Sequence, residues 1–171
     1  MEFTCNTILS KSEGNVWGLH FPIPTDTSSQ LIQSGHKRWL CSIDGIEPIR
    51  CGLLSSKTGY FITINKQYAK KNQLQEGSKV KLIFHPDESI YGMDMPEELQ
   101  VMFDQDPVAF RHFENLTPGK QRNLIYIVSK VKSTDARIKK ALAIVSHLVD
   151  VDGVLDFKLL NEKIKFYNNQ F

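Results

Sequence analysis

The hydrophobic pattern of this 171-residue chain changes its period near residue 90, and this change constrains the fold more than any other feature. Before that point, short segments such as "RWLCSI" (38–43) place apolar residues at every second position, here Trp39, Cys41 and Ile43, as a half-buried strand does. Beyond it, apolar residues recur every three or four positions, as at 124–131, which is the period of an α-helix. The sequence therefore predicts an α+β protein in which a β part precedes a helical part.

The first part, residues 1–90, has the features of a small, mostly antiparallel β-barrel. Asp44-Gly45 predicts a two-residue hairpin turn, because both central positions of such a turn adopt positive φ. Pro48 has no N–H to donate, so it is expected at an edge or a bulge of the returning strand. The predicted strands are 16–23, 38–43, 46–54, 60–64 and 79–84, and Asn65 is predicted to cap a short helix before the last of them.

The second part is predicted to be a helical module of four to five helices over residues 96–171, after a connector at 91–95. Proline suits the first turn of a helix, and the side chains of Ser, Thr and Asp accept hydrogen bonds from its free amides. Such start signals occur at Pro96, Asp106-Pro107, Thr117-Pro118, Ser133 or Thr134, and Asp156. The short connections between them favour antiparallel packing of neighbouring helices.

The three cysteines do not form a metal-binding or disulfide pattern. Cys5, Cys41 and Cys51 lack CxxC spacing and neighbouring histidines, so neither a zinc site nor a disulfide framework is expected. The predicted turn would place Cys41 opposite Pro48 and Cys51 opposite Arg38, so a bond between these two thiols would need another register.

Targeting signals are also not found in the sequence. The first residues lack the basic and apolar regions of a signal peptide. No apolar run approaches the about 18 residues that a membrane-spanning helix needs. We therefore expect a cytoplasmic protein with reduced thiols that does not insert into membranes.

Motifs for catalysis or cofactor binding are not found either. HExxH, GxSxG, SxxK and the phosphate-binding loop are all missing from the sequence. The segment "DVDGVLD" (150–156) contains carboxylates, but Gly153 is at position four of an EF-hand loop instead of position six. A helix end, a turn and a helix cap at Asp156 account for it better. We therefore expect no enzyme activity, no catalytic or metal-binding residues and no cofactor. The five histidines are scattered: His20, His36, His85, His112 and His147.

Charge is segregated within the helical part. Residues 94–114 carry six carboxylates against Arg111 alone, whereas residues 118–147 carry seven basic residues against Asp135 alone. The net charge of the whole chain is only +2, which weakens the case for nucleic acid, whose binding proteins usually have a clear basic excess. The basic segment is therefore a local feature.

Part of this basic segment falls on one side of a predicted helix. Arg122, Tyr126 and Lys130 lie opposite the apolar stripe that begins at Leu124, at 100° per residue. The candidate residues for binding a protein or an anionic ligand are Lys120, Arg122, Tyr126, Lys130, Lys132, Arg137 and Lys140.

Three interpretations of this basic face are open. It is a solvated face whose long side chains cover apolar surface, or it binds an anionic ligand or a protein. In the third interpretation, the basic face forms ion pairs with the preceding acidic helices. Such pairs would determine the orientation of the helices but add little stability, since exposed ion pairs contribute about 0–1 kcal/mol.

The helical segments resemble a known family. "MPEELQVMFDQDPVAF", "LTPGKQRNLIYIVSKVKSTDARIKKAL" and "GVLDFKLLNEKIK" are similar to the bacteriocin-protection, YdeI/OmpD-associated family. In the first part, "FPIP", "SIDGIEPIRCGLL" and "YFITINK" resemble a domain of unknown function that often precedes this module. That domain is a double-split barrel related in shape to AbrB-like DNA-binding domains.

The resemblance implies a bacterial, non-catalytic binding or stress-protection protein. Members of the family are linked genetically to resistance against antimicrobial peptides and to an outer-membrane porin, and no catalytic residues are established for them. The alternative is a nucleic-acid-binding regulator that uses the AbrB-like barrel as a homodimer. Aromatic residues of the barrel would then offer a stacking platform, although core packing explains most of them. These aromatic residues are Trp17, Phe21, Trp39, Tyr60 and Phe61.

Overall fold

Two four-stranded antiparallel sheets form the first unit of this computed structural model, Met1–Glu88, called the sheet unit below. The structure describes residues 1–12 and 18–170. The strands are β1 (Phe3–Ile8), β2 (Ser10–Lys11), β3 (Leu19–Ile23), β4 (Trp39–Ile43), β5 (Ile49–Cys51), β6 (Leu54–Ser56), β7 (Gly59–Ile64) and β8 (Lys79–Pro86), and the helices are α1 (Thr25–Gln33) and α2 (Lys66–Lys71). The first sheet has the order β1-β8-β4-β5 and the second β2-β3-β7-β6.

The core of the sheet unit follows the predicted alternation. Trp39, Cys41 and Ile43 of β4 are buried, and the residues between them are half-buried. The antiparallel pairing of the two sheets confirms the predicted, mostly antiparallel strands. Closure into a double-split barrel stays an implication of the resemblance. Of the predicted aromatic platform, Phe21, Trp39 and Phe61 are buried and Tyr60 is partly exposed. Trp17 lies outside the described residues, as does the start of the predicted strand 16–23.

The Asp44-Gly45 turn forms as predicted, but the pairing beyond it is shifted by one residue. Both residues have positive φ, and the Ile46 N–H donates to the Ile43 carbonyl at 2.9 Å. Cys41 nevertheless pairs with Ile49 instead of Pro48. The pairing between β4 and β5 begins only after Pro48, because proline has no N–H to donate. The chain between the turn and β5 therefore contains one residue more than the predicted register allows.

The sheet unit also differs from the prediction at residues 46–54 and at α1. The single strand predicted over 46–54 is divided between β5 in the first sheet and β6 in the second, so the chain changes sheets at Gly52-Leu53. Helix α1 was not predicted, because its sequence "TDTSSQLIQ" is rich in Ser and Thr, whose side chains compete for backbone hydrogen bonds. Leu31, which is fully buried, fixes α1 to the core. The short helix after Asn65 is present as α2, and the Asn65 side chain accepts from the Tyr68 N–H at 2.7 Å.

The second unit, Ser89–Phe171, is called the helical unit below, and its described residues, 89–170, contain five helices. They are α3 (Glu97–Gln105), α4 (Pro107–Glu114), α5 (Pro118–Ser129), α6 (Thr134–Asp150) and α7 (Phe157–Gln170). The predicted α+β class and helical module are confirmed. None of the helices in the described part of the chain is long and apolar enough to cross a membrane.

Local capping chemistry sets most of the helix starts. The Asp106 carboxylate accepts from the Val108 and Ala109 N–H groups, and the Asp156 carboxylate caps α7 in the same way. Ser133 is the cap of α6. Two starts differ from the prediction, because Pro96 precedes the first residue of α3 and the Thr117 side chain makes no cap hydrogen bond.

The segment 150–156 forms the predicted helix end, turn and cap. Helix α6 ends at Asp150, and Asp152 and Gly153 have φ values of 49° and 77°. A Cβ at Gly153 would lie 2.6 Å from Nδ1 of His112, a half-buried residue of α4. The turn therefore needs glycine for both its backbone conformation and its packing.

His147 is a buried polar residue in the core of the helical unit, 1% exposed. Its Nε2 accepts a hydrogen bond from the Asp156 N–H at 3.2 Å, which requires that nitrogen to be unprotonated. Burial and the nearby Lys163 charge lower the pKa of His147, and the carboxylates of Asp156 and Asp150 oppose this effect.

We expect the helical unit to lose stability as the pH falls below about 6.5, the pKa of an unfolded histidine. Because the folded pKa of His147 is lower, the unfolded chain takes up the proton first. Each pH unit then costs at most about 1.4 kcal/mol until the folded pKa is reached. Urea denaturation at about pH 5 and about pH 8 should therefore show a weaker pH dependence for His147→Gln. An unchanged dependence in His147→Gln would contradict the assignment, and the exposed His36→Gln is the matched control.

Candidate functional site

Helix α5 carries the first three candidate residues. It is held by the packing of its inner side and by a hydrogen bond near its start. Its inward side chains, Leu124, Ile125 and Val128, are fully buried in the helical core. At its start, the Gln121 side-chain amide donates to the Phe113 carbonyl at 3.1 Å, which ties α5 to the end of α4. The opposite side of α5 therefore faces solvent, and Tyr126 on that side is 55% exposed.

Tyr126 and Lys130 form a local pair at the end of α5. The Lys130 ammonium lies 5.8 Å from the centroid of the Tyr126 ring, within the range of a cation–π interaction. Lys130 is also the C-terminal cap residue of α5, where a positive charge is favourable to the helix dipole. The predicted outward position of both side chains is found.

Helix α6 adds a second ammonium group to this pair. Lys140 is half-buried, and burial together with the charge of Lys130 lowers its pKa. The two lysines come from neighbouring helices and are close enough for their charges to interact. Neither forms an ion pair with any residue in the described ranges 1–12 and 18–170. We call Tyr126, Lys130 and Lys140 the Lys130 cluster.

Arg137 is engaged inside the helical unit. Its Nε donates to the Val131 carbonyl at 2.9 Å, and its Nη1 lies 3.7 Å from a carboxylate oxygen of Glu98. The Glu98 side chain is only 13% exposed, so this pair links α6 to the acidic first turn of α3. The contacts of Arg137 therefore agree with the third interpretation of the basic face, in which it pairs with the acidic helices.

The other three candidates lie apart from the Lys130 cluster or at its margin. Lys120 is in the first turn of α5, ten residues and thus about 15 Å of helix from Lys130. Arg122 is half-buried in the same helix, and Lys132 is exposed in the connection to α6. Like the lysines of the cluster, they have no ion pair with the residues that the structure describes.

Sequence reasoning missed the part played by Glu98. It was assigned to the favourable first turn of a helix, but its carboxylate is directed inward, and Oε2 is buried without a hydrogen bond among the described atoms. The positions of the apolar residues Leu99 and Met102 do not indicate that Glu98 points inward. Its contact with Arg137 depends on how α3 packs on α6, which the local sequence does not show.

Two arginines of the sheet unit have a different environment. Nε of Arg38 and Nε of Arg50 lie 3.9 Å and 3.8 Å from the buried carboxylate of Asp87. Their charges are therefore partly offset within the unit. Among the described residues, no three His, Cys, Asp or Glu side chains are grouped to hold a metal ion.

Comparison with known proteins bears on the helical unit. Residues 92–150, from the connection before α3 to the end of α6, match the family described as bacteriocin-protection, YdeI or OmpD-associated. The chain is also similar to "Uncharacterized protein YdeI" of Bacillus subtilis (strain 168), with 36% identity over 64 residues. That match covers 37% of this chain and 32% of the relative, so the chain spans about a third of the length of the curated protein it matches.

The matched segment includes every candidate residue of the basic face, whereas the resemblance of the sheet unit to the preceding domain of unknown function stays a prediction. Over residues 92–150, this chain is therefore similar to the bacteriocin-protection, YdeI or OmpD-associated family, as its sequence pattern predicted.

Proposed function

We propose that this chain is a non-catalytic, cytoplasmic binding protein whose helical unit binds an anionic partner at the Lys130 cluster. The proposal is carried by the approach of the Lys130 charge to Lys140, which contributes to lowering the Lys140 pKa, while neither lysine has a carboxylate partner among the described residues. Such an approach is unfavourable to the free protein, since like charges repel. A bound anion would relieve this repulsion and gain from both charges.

The surroundings of the cluster favour the same use. Lys140 is partly shielded from water, so screening is weaker there, and an anion beside it interacts more strongly than at a fully hydrated lysine. The exposed ring of Tyr126 adds apolar surface and a hydroxyl group. An acidic protein segment, with carboxylates and apolar side chains, matches this combination better than a simple inorganic anion does.

The proposal also bears on the resistance to antimicrobial peptides that the family resemblance implies. A basic surface repels a cationic peptide. Any protective effect would therefore pass through an anionic partner of this protein, and direct capture of a cationic peptide at the Lys130 cluster is disfavoured.

Charge reversal tests the proposal. A fluorescent oligoglutamate peptide serves as the probe, in anisotropy titrations at about 50 mM salt. We expect Lys130→Glu to weaken binding by about tenfold or more, because it replaces an attraction with a repulsion. Lys158→Glu, an equal charge change at an exposed position of α7, is the control and should leave binding nearly unchanged. Equal losses in both variants, or no binding by the wild type, would overturn the proposal.

The alternative, a nucleic-acid-binding regulator, is separated by the same titration. Labelled duplex and single-stranded DNA replace the peptide, and the salt concentration is varied. A phosphate-binding protein loses affinity linearly in a plot of log K against log salt. Binding that prefers DNA and is insensitive to Lys130→Glu would favour the alternative. The carboxylate of Asp87 partly offsets the charges of Arg38 and Arg50, which weighs against nucleic-acid binding by the sheet unit.

A further inference from the structure

The sheet unit contains a pocket of about 500 Å³ that is lined by the end of α1, the connection to β4, the first residue of β4, Leu53 and Tyr60 of β7. This volume falls in the range of pockets for small organic molecules. The pocket lies in the other unit from the Lys130 cluster and shares no residue with it. The residues that matter for its chemistry are Ile32, His36, Lys37, Trp39, Leu53 and Tyr60.

The walls of the pocket are apolar and aromatic. Ile32 and Tyr60 are 47% and 37% exposed, although both are large apolar side chains. The half-buried Leu53 and the buried Trp39 line the same pocket. The His36 ring lies edge-on to Trp39, with 5.7 Å between the ring centroids. Convergence of such side chains on one concavity is typical of a site that takes an aromatic or branched aliphatic group.

The charge of the pocket has one sign. Lys37 carries the permanent charge, and none of the described residues that line the pocket is a carboxylate. Within the described part of the chain, Lys37 has no ion-pair partner. His36 adds a hydrogen-bond donor, and a second positive charge when it is protonated. An apolar body and an anionic head group are therefore the complement of this pocket.

We propose that the pocket binds a small organic carboxylate with an aromatic or branched aliphatic body. The body packs between Ile32, Leu53 and Tyr60 above Trp39, and the carboxylate pairs with the Lys37 ammonium beside His36. This gives the sheet unit a ligand-binding role of its own, which holds whether or not the Lys130 cluster binds an anionic partner.

A matched pair of probes tests the proposal on the full chain. 4-Phenylbutyrate and 4-phenylbutyramide share the same apolar body, but only the first carries a negative charge. Isothermal titration and saturation-transfer NMR measure their binding. We expect saturable binding of the carboxylate, about tenfold tighter than that of the amide, because a charged hydrogen bond is added.

Three variants assign this binding to the pocket. Lys37→Gln should abolish the preference for the carboxylate, and Ile32→Gln should weaken both probes. Lys57→Gln, at an exposed lysine outside the pocket, should change neither. Circular dichroism checks that each variant is folded. The proposal is overturned if neither probe binds in the millimolar range, if the wild type binds both equally, or if Lys57→Gln acts like Lys37→Gln.

Discussion

Phe113→Ala should lower the free energy of unfolding of the helical unit by about 3–5 kcal/mol. Phe113 is fully buried, and its ring centroid lies 4.7 Å from that of Phe103 and 5.4 Å from that of Tyr91. Truncation removes these contacts and leaves a cavity that the surrounding structure closes only in part. The expected loss is a large fraction of the about 5–15 kcal/mol that stabilises a typical domain.

Helical circular dichroism during urea denaturation measures this effect, since most helical residues belong to this unit. The matched control is Phe166→Ala on α7, because Phe166 is 54% exposed. We expect the control to change stability by about 0.5 kcal/mol or less, as surface substitutions usually do. Similar losses in the two variants would show that Phe113 is not the core residue described above.

Gly153→Ala should destabilise the same unit by about 2–3 kcal/mol. The left-handed conformation, with φ at 77°, costs an L-residue about 1–2 kcal/mol. The added methyl group would also lie 2.6 Å from Nδ1 and 3.1 Å from Cγ of His112. These atoms lie close to the backbone of α4, so the ring can move away only if its rotamer or the helix shifts.

Two comparisons separate the two contributions. Gly45→Ala has nearly the same φ, 76°, with nothing within 4 Å of the new Cβ, so its loss reports the conformational cost alone. His112→Ala combined with Gly153→Ala removes the steric contact, and the double-mutant cycle should give a favourable coupling. A cycle without coupling would exclude the contact with His112 as a cause.

The elements predicted correctly are those that local chemistry determines. The carboxylates of Asp106 and Asp156 cap helices through amides two or three residues away, so the sequence alone identifies these starts. The Asp44-Gly45 turn is equally local. The division of 46–54 between two sheets is not, because its apolar pattern is nearly continuous and does not show where the chain changes partner.

The same distinction between local chemistry and packing applies to the candidate sites. The helical period was sufficient to place Tyr126 and Lys130 on the solvent side of α5. The approach of Lys140 to Lys130 and the engagement of Arg137 by Glu98 depend on helix packing, which one sequence does not reveal. The pocket of the sheet unit could not be predicted without α1, because Ile32 belongs to that helix.

The one-residue shift after Pro48 also decides the reactivity of a thiol. In the predicted register, Cys51 would stand opposite Arg38 and would point to the outer side of the sheet. In the register found, it pairs with Trp39, and its side chain lies on the same inner side as Cys41. A hydrogen bond with Cys51 and burial raise the pKa of Cys41, which keeps that sulfur as an unreactive thiol. By delaying the pairing of β5, a proline without an N–H thus brings the side chains of Cys41 and Cys51 to one side of the sheet, where the Cys51 thiol raises the pKa of Cys41.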